Sequence, residues 1–353
     1  MTYLFDTCTH KCGYCELAEG GMVLDAEQLS IFREPAVVDR IASFFNRRST
    51  DDDKWLLQLT GGEPLLMPNL GQFCERLFEH GNRVAFYTAL DILGRDHPSY
   101  RFLLDHGAPE VDYVMASLHP ESEQNEDGYF ERVAELKAAG HNVFLRFVGH
   151  PARLEALDRL SARCRELDVC FYPTTLFGPD HPLHYTPEQR DALSRHFSSY
   201  TQRVQLEGGV NVEGVRCTSG SRNLAVRFPS GDLTPCTSTM EPILGNVFED
   251  RLDLLDGPAP CPVAGMACAC DVHYQQDIVL GAGDSEHFRA QKRGFVEPLP
   301  LLDQEEWIQQ RPYAMGNASL TIGRVSEGGK LAYTREEVRE AFIKWKAWIG
   351  TKK

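Results

Sequence analysis

Three cysteines, Cys8, Cys12 and Cys15, stand in the octapeptide CTHKCGYC, directly after the short apolar run TYLFD. Thiolates are soft donors that suit zinc or an iron–sulfur cluster, and buried thiols also serve as small core residues. Three are one short of a closed tetrahedral zinc site, although His10 inside the loop offers a fourth donor. A cubane cluster normally takes four cysteines, so three leave one iron with an open position where a substrate or cofactor can bind and be reduced. Spacing alone leaves zinc open.

A second motif, Gly61-Gly62-Glu63-Pro64, follows the strand-like KWLLQLT. Paired glycines let the backbone approach a ligand closely, and Glu63 adds an acceptor able to hold an ammonium group. By itself GGEP reads as a turn. Both motifs, however, fall at the carboxyl ends of predicted strands and so on one rim, and that combination selects the iron–sulfur reading. CxxxCxxC after the first strand and GGEP after the second resemble the radical SAM superfamily over residues 1 to about 175. The resemblance implies that Cys8, Cys12 and Cys15 ligate a 4Fe–4S cluster whose remaining iron is chelated by S-adenosylmethionine. One-electron reduction then yields a 5′-deoxyadenosyl radical that abstracts a substrate hydrogen, while the protein orients and shields the reacting groups. The same resemblance places Tyr14 near the adenine, against a plain alternative of loop packing, and Gly61, Gly62 and Glu63 at the methionine amino group. Thr88 ends VAFYT, where the family often has Thr-Asn-Gly and this chain has Thr-Ala-Leu. Ser117 and Arg146 occupy strand positions that in similar enzymes contact ribose and carboxylate. Arg146, flanked by Leu145 and Phe147, needs a charged partner on physical grounds as well.

A second cysteine group comprises Cys217, Cys236, Cys261, Cys268 and Cys270. Cys217 and Cys236 bracket Gly231 in a Cys-x13-Gly-x4-Cys arrangement that resembles the SPASM/Twitch extension of radical SAM enzymes, as does GNVFED after it. The resemblance implies auxiliary iron–sulfur binding. Cys261-x6-Cys268-x-Cys270 departs from the full SPASM pattern, so one auxiliary cluster, of the 4Fe–4S kind and held by four of the five thiols, is expected. The fifth is then structural or a hydrogen-atom donor. Four or five thiolates also suit zinc. The three remaining cysteines, Cys74, Cys164 and Cys170, sit on apolar faces and read as small buried hydrophobes.

The elements that must position these groups follow from periodicity. TYLFD, KWLLQLT, RVAFYT, VDYVMAS, NVFLRFV and VCFYP are strand-like, and helices such as PAVVDRIASFFNRR, with Val37, Val38, Ile41, Phe44 and Phe45 on one stripe, lie between them. Such alternation predicts an α/β fold, a partial (β/α)6 TIM-like barrel over residues 1–175 with its chemistry beyond the carboxyl ends of the strands. A linker helix is expected within 176–202, opened by the capping box of Thr186 and Gln189. Residues 203–275 form a small cysteine-rich auxiliary-cluster domain of β-hairpin and helix, with the hairpin LAVRF-PSGD-LTPC. The extension 276–353 matches no motif and ends in an amphipathic helix carrying Val338, Ala341, Phe342, Trp345 and Trp348 on one face.

A formal net charge of −15 without a lysine/arginine block argues against nucleic acid as a partner. No apolar stretch long enough for a membrane span and no signal-peptide pattern is present, so a cytoplasmic location is expected. The expected activity is that of a radical SAM enzyme, oxidoreductase-like, working by oxidation, crosslinking or epimerisation in peptide or natural-product maturation. The substrate is a small molecule or a peptide, with an electron donor such as flavodoxin or ferredoxin. Alternatives are a sugar or aminocyclitol dehydrogenase or epimerase of the Twitch type, and a non-catalytic iron–sulfur electron-transfer or assembly protein. Only seven residues precede Cys8, which favours a small molecule or a peptide delivered by a separate protein. His119, Glu121 and Glu123 are rim candidates for substrate contact and, equally, ordinary loop charges.

Overall fold

The computed structural model describes residues 1–309 except 6, 9, 11, 13–25, 91–93, 109, 121, 177–183, 212–214, 238, 240–241, 262–266, 269 and 281–282. The expected C-terminal amphipathic helix lies outside these residues.

Six strands run parallel in chain order: β1 (Thr2–Tyr3), β2 (Leu56–Thr60), β3 (Arg83–Thr88), β4 (Val111–Leu118), β5 (Val143–Val148) and β6 (Cys170–Thr174). The helices α1 (Ala26–Ser30), α2 (Pro35–Asn46), α3 (Leu70–Phe78), α4 (Pro98–Asp105), α5 (Glu126–Ala138) and α6 (Leu157–Glu166) lie along the crossovers. This is the α/β partial barrel that the alternation of patterns predicts. Side chains alternate across each strand. Val84 and Phe86 of β3 and Val114 and Ala116 of β4 face the helix layer, packing with Val38, Ile41 and Phe44 of α2. Ala85 and Tyr87, with Tyr113 and Met115, face the inner side, where they meet Phe144, Cys170 and Tyr172.

Helix starts follow the local chemistry. The capping box expected at Thr186 is present: Thr186 Oγ1 accepts from Gln189 N at 3.3 Å and Gln189 Oε1 accepts from Thr186 N at 2.9 Å. It opens α7 (Pro187–Ser194), and α8 (Tyr200–Leu206) follows.

Beyond α8 come β7 (Val210–Asn211) and β8 (Arg216–Cys217), and then the expected hairpin, β9 (Ala225–Arg227) with β10 (Asp232–Thr234). The hairpin does not stand apart. β9 pairs in parallel with β1, Thr2 opposite Val226, and β11 (Gly245–Asn246) and β12 (Arg251–Leu252) extend the same ten-stranded sheet beyond it. Cys217 pairs with Ala259 of β13 (Ala259–Pro260), and Cys268 of β14 (Ala267–Cys268) pairs with Val210. Then α9 (Asp271–Gln275) and α10 (Ser285–Arg293) enter the concave face of the barrel. Phe288 of α10 stacks on Phe144 at 5.4 Å, and Lys292 joins Arg83 on the buried Asp112 carboxylate at 3.1 and 2.7 Å. α11 (Leu301–Gln309) packs outside, with Trp307 stacked on Tyr200 at 4.8 Å. None of the described helices is long and apolar enough to cross a membrane.

Candidate active site

The two signature motifs meet. Because β1 and β2 are parallel neighbours, Tyr3 opposite Thr60, the loops leaving them emerge side by side. Gly62 N donates to Phe5 O at 2.6 Å and Glu63 N to Thr7 O at 2.9 Å, so GGEP is hydrogen-bonded to the residues that lead into Cys8. Gly61 has φ +133°, and a β-carbon there would sit 2.4 Å from Phe5 O. The first glycine is thus required by the closeness of the two loops.

Glu63 is 1% exposed and its carboxylate is tied into the rim. Oε1 accepts from Leu65 N at 3.0 Å and from Thr88 Oγ1 at 2.7 Å, and Oε2 accepts from Ala89 N at 2.7 Å. Burial outweighs these donors and pushes its carboxyl up to about 7. Glu63 and Thr88 therefore brace the ends of β2 and β3 against each other. A lone pair on Oε2 remains for a further donor.

Cys8 is half-buried and Cys12 buried. Cys15 and Tyr14 lie outside the described residues. The ring of His10 is 5.5 Å from that of His119, which brings the carboxyl end of β4 to the same loop. Glu123 pairs with Arg153 at 2.9 Å, a rim contact that needs no ligand, and Glu121 is outside the described residues.

Below the rim, Ser117, Arg146 and Tyr172 are direct neighbours across β4, β5 and β6. The half-buried Arg146 makes no hydrogen bond or ion pair to any described residue; its guanidinium lies 5.9 Å from the centre of the Tyr87 ring. Burial pulls its pKa down, but the fields of Asp271, Tyr87, Tyr172 and Cys270 outweigh that and hold it above the ordinary arginine value. A cation so placed has open donors for an anionic ligand.

Two of the downstream cysteines lie at the other end. Cys236 and Cys270 line a cavity of about 680 Å³ with Met1, Leu56 and Arg83, which mark the amino ends of β1, β2 and β3. A hydrogen bond joins the Cys217 and Cys261 side chains, and it is the chief cause that lowers the Cys217 thiol to about 6. Cys268 packs with Cys261 against Val215 and Trp307. No disulfide joins the described cysteines. Among the described residues, no three histidine, cysteine, aspartate or glutamate side chains meet as a metal-holding group. Cys74, Cys164 and Cys170 are buried in the barrel, as expected of core thiols, and burial raises the pKa of each.

For a cluster with S-adenosylmethionine the donor set at the carboxyl rim fits. Two described thiols sit beside a loop whose glycine admits no β-carbon, and Arg146 of the concave face makes no ion pair with a described residue. For the auxiliary cluster the thiols fall into two groups, Cys236 with Cys270 and Cys261 with Cys217 and Cys268, with no closed set among the described residues.

No family model matches the chain. Solved structures to which it is similar include Streptococcus suis SuiB bound to S-adenosylmethionine, at 15% identity over 70% of this chain and 60% of that one, TM-score 0.48. Another is native anSMEcpe with bound AdoMet and a peptide, at 14% identity over 70% and 77% of the two chains, TM-score 0.49. A third is TYW1 with a lysine-pyruvate adduct, at 12% identity over 54% and 67%, TM-score 0.34. The chain thus spans 60% of the SuiB chain it matches.

Two lumen residues carry no signal in the sequence. Asp271 and Gln275 follow the cysteine group, in a stretch with no strand or barrel-helix pattern, and only the path of α9 brings them inside.

Proposed function

We propose that this chain is a radical SAM enzyme whose substrate enters the lumen from the carboxyl rim. The observation that carries the reading is the direct bonding of GGEP to the start of CTHKCGYC, Gly62 to Phe5 and Glu63 to Thr7. A turn motif of no function has no reason to be locked against a thiolate loop. Cys8, Cys12 and Cys15 would hold the 4Fe–4S cluster. The Gly61–Glu63 segment would receive the methionine amino group, and Ser117 and Arg146 the ribose and carboxylate. When bound, the cluster and S-adenosylmethionine supply a one-electron reduction and a 5′-deoxyadenosyl radical able to take a hydrogen atom from carbon.

The chain's own contribution is positioning and exclusion of water. Tyr87, Tyr113 and Tyr172 pack with Phe144 on the concave face, and Val272 of α9 and Phe288 of α10 close that cluster from below, so a radical formed at the rim would be shielded from water on that side. Gln58 Nε2 donates to Tyr113 OH at 2.7 Å, and the Tyr87 and Tyr113 hydroxyls are 3.1 Å apart, which fixes those rings. Thr88, bonded to Glu63, braces the cofactor loop.

Downstream, four of Cys217, Cys236, Cys261, Cys268 and Cys270 would hold one auxiliary 4Fe–4S cluster at the amino end of the barrel. An electron acceptor there favours net oxidation in peptide or natural-product maturation; epimerisation and crosslinking use the same first step. A small protein such as flavodoxin or ferredoxin would deliver the electron.

Anaerobic reconstitution with iron and sulfide, followed by dithionite and S-adenosylmethionine, tests the reading. The expected product is 5′-deoxyadenosine, absent from a Cys8→Ala chain. If the reconstituted wild type cleaves no S-adenosylmethionine, the enzymatic reading is lost.

A further inference from the structure

α9 divides the interior of the barrel. Its five residues place Asp271 and Gln275 one turn apart on one face, and Val272 on another, with Gln276 following directly. Val272 and Gln276 line the cavity at the amino ends of the strands. Asp271 and Gln275 do not line that cavity. Gln275 Nε2 donates to Tyr172 OH at 3.0 Å, and the field of Asp271 acts on Tyr87, Tyr113, Tyr172 and Arg146. Asp271 and Gln275 thus sit at the base of the concave face, beside the tyrosines of β3, β4 and β6.

That floor is incompletely bonded. Asp271 is 6% exposed and Gln275 2%, yet among the described residues Asp271 Oδ2 and Gln275 Oε1 have no hydrogen-bond partner. Asp271 Oδ1 accepts only from Val272 N at 2.9 Å. With its Nε2 engaged by Tyr172, Gln275 is left with its amide oxygen as an open acceptor. Two adjacent buried acceptors without donors are costly, and a ligand that brings donors relieves that cost. Arg146 is the nearby cation, but no ion pair joins it to Asp271, so the Asp271 charge keeps capacity for a further cation.

We infer that Asp271 and Gln275 recognise a positively charged hydrogen-bond donor on the substrate, a primary ammonium group held at the bottom of the lumen. This deepens the radical SAM reading and rests on it only for the identity of the ligand as substrate. A neutral hydroxyl has a single proton and leaves one of the two acceptors unmet, whereas an ammonium has three donors and a charge matched to the carboxylate. An anionic group would meet Asp271 head-on. The inference selects amines from the substrate classes open to the enzyme, whether a lysine-like side chain, a free peptide amino terminus or an amino sugar.

The test is calorimetric titration of the full chain, with clusters reconstituted anaerobically, using cadaverine as the cationic probe and glutarate as an anionic probe of the same carbon count. Cadaverine should bind with a dissociation constant of ~1 mM or below and at least about tenfold more tightly than glutarate. Asp271→Asn should weaken cadaverine at least about tenfold, and Gln275→Leu by a smaller factor. Far-UV circular dichroism of both variants checks that they fold, and the wild-type comparison of the two probes decides the matter without either. Glutarate binding as well as cadaverine, no cadaverine binding, or an unchanged Asp271→Asn affinity overturns the inference. A separate titration with S-adenosylmethionine reports on the parent reading: failure there removes the radical chemistry while cadaverine still decides the floor.

Discussion

At Gly61 the backbone adopts φ +133° and a β-carbon would lie 2.4 Å from Phe5 O, a distance that no real contact tolerates. Gly61→Ala must therefore move the GGEP loop away from the thiolate loop, and the Gly62-to-Phe5 and Glu63-to-Thr7 bonds stretch with it. A loss of roughly 1–3 kcal/mol in urea unfolding is expected, together with weakened S-adenosylmethionine binding; an unchanged midpoint and affinity would contradict the geometry. Glu63 offers a pH test. Its carboxyl is raised from 4.5 to about 7, chiefly by burial, so the folded chain holds the proton more tightly than the unfolded one. The stability linked to that proton is full below about pH 4.5 and is lost as pH rises through about 7. The size is on the order of 3 kcal/mol. Glu63→Gln, neutral throughout, should flatten this slope when urea midpoints of the ligand-free chain are compared at pH 5 and pH 8. A slope equal to the wild type's would show that Glu63 does not titrate in that window.

Elements differ in how plainly their sequence announces them. The six parallel strands were legible because each is an apolar run bounded by turn residues, and helices such as α2 show one continuous apolar stripe. The rim position of both motifs followed from strand order alone. α4 escaped, for its eight residues make little more than two turns behind His97 and Pro98. The pairing of β9 with β1 joins Val226 to Thr2, and no local pattern encodes a contact at that separation. Asp271 and Gln275 were illegible for a related reason, since chain path rather than periodicity puts them in the lumen. Tyr14 and Cys15 rest on resemblance alone. Where a local rule does act, its contribution is measurable: Thr186→Ala removes the cap of α7, far from the rim motifs in sequence, and should cost about 1 kcal/mol in urea unfolding with no change in S-adenosylmethionine affinity. A change in that affinity would mean that α7 couples to the rim.

Across the whole molecule, members of the two cysteine groups occupy opposite ends of one barrel. Cys8 and Cys12 follow the carboxyl end of β1, while Cys236 and Cys270 face the cavity lined by Met1, Leu56 and Arg83 at the amino ends. Strands of five to eight residues separate these ends by roughly 20 Å, with the tyrosine-lined lumen and α9 between them. The two thiol sets should therefore load independently, because no described side chain belongs to both. Reconstituted wild type should carry about eight irons, the content of two cubane clusters. Cys8→Ala and Cys236→Ala should each lose about half of that, but not in the same place. Only Cys8→Ala should also lose the change that S-adenosylmethionine causes in the electron paramagnetic resonance spectrum of the reduced chain. Cys74→Ser, at a core thiol of α3, should keep both the iron and the spectrum. About four irons in the wild type, with Cys236→Ala unchanged, would leave a single cluster at the rim and make the downstream thiols structural. Loss of all iron in either variant would instead mean that the two ends fold around their metals as one unit.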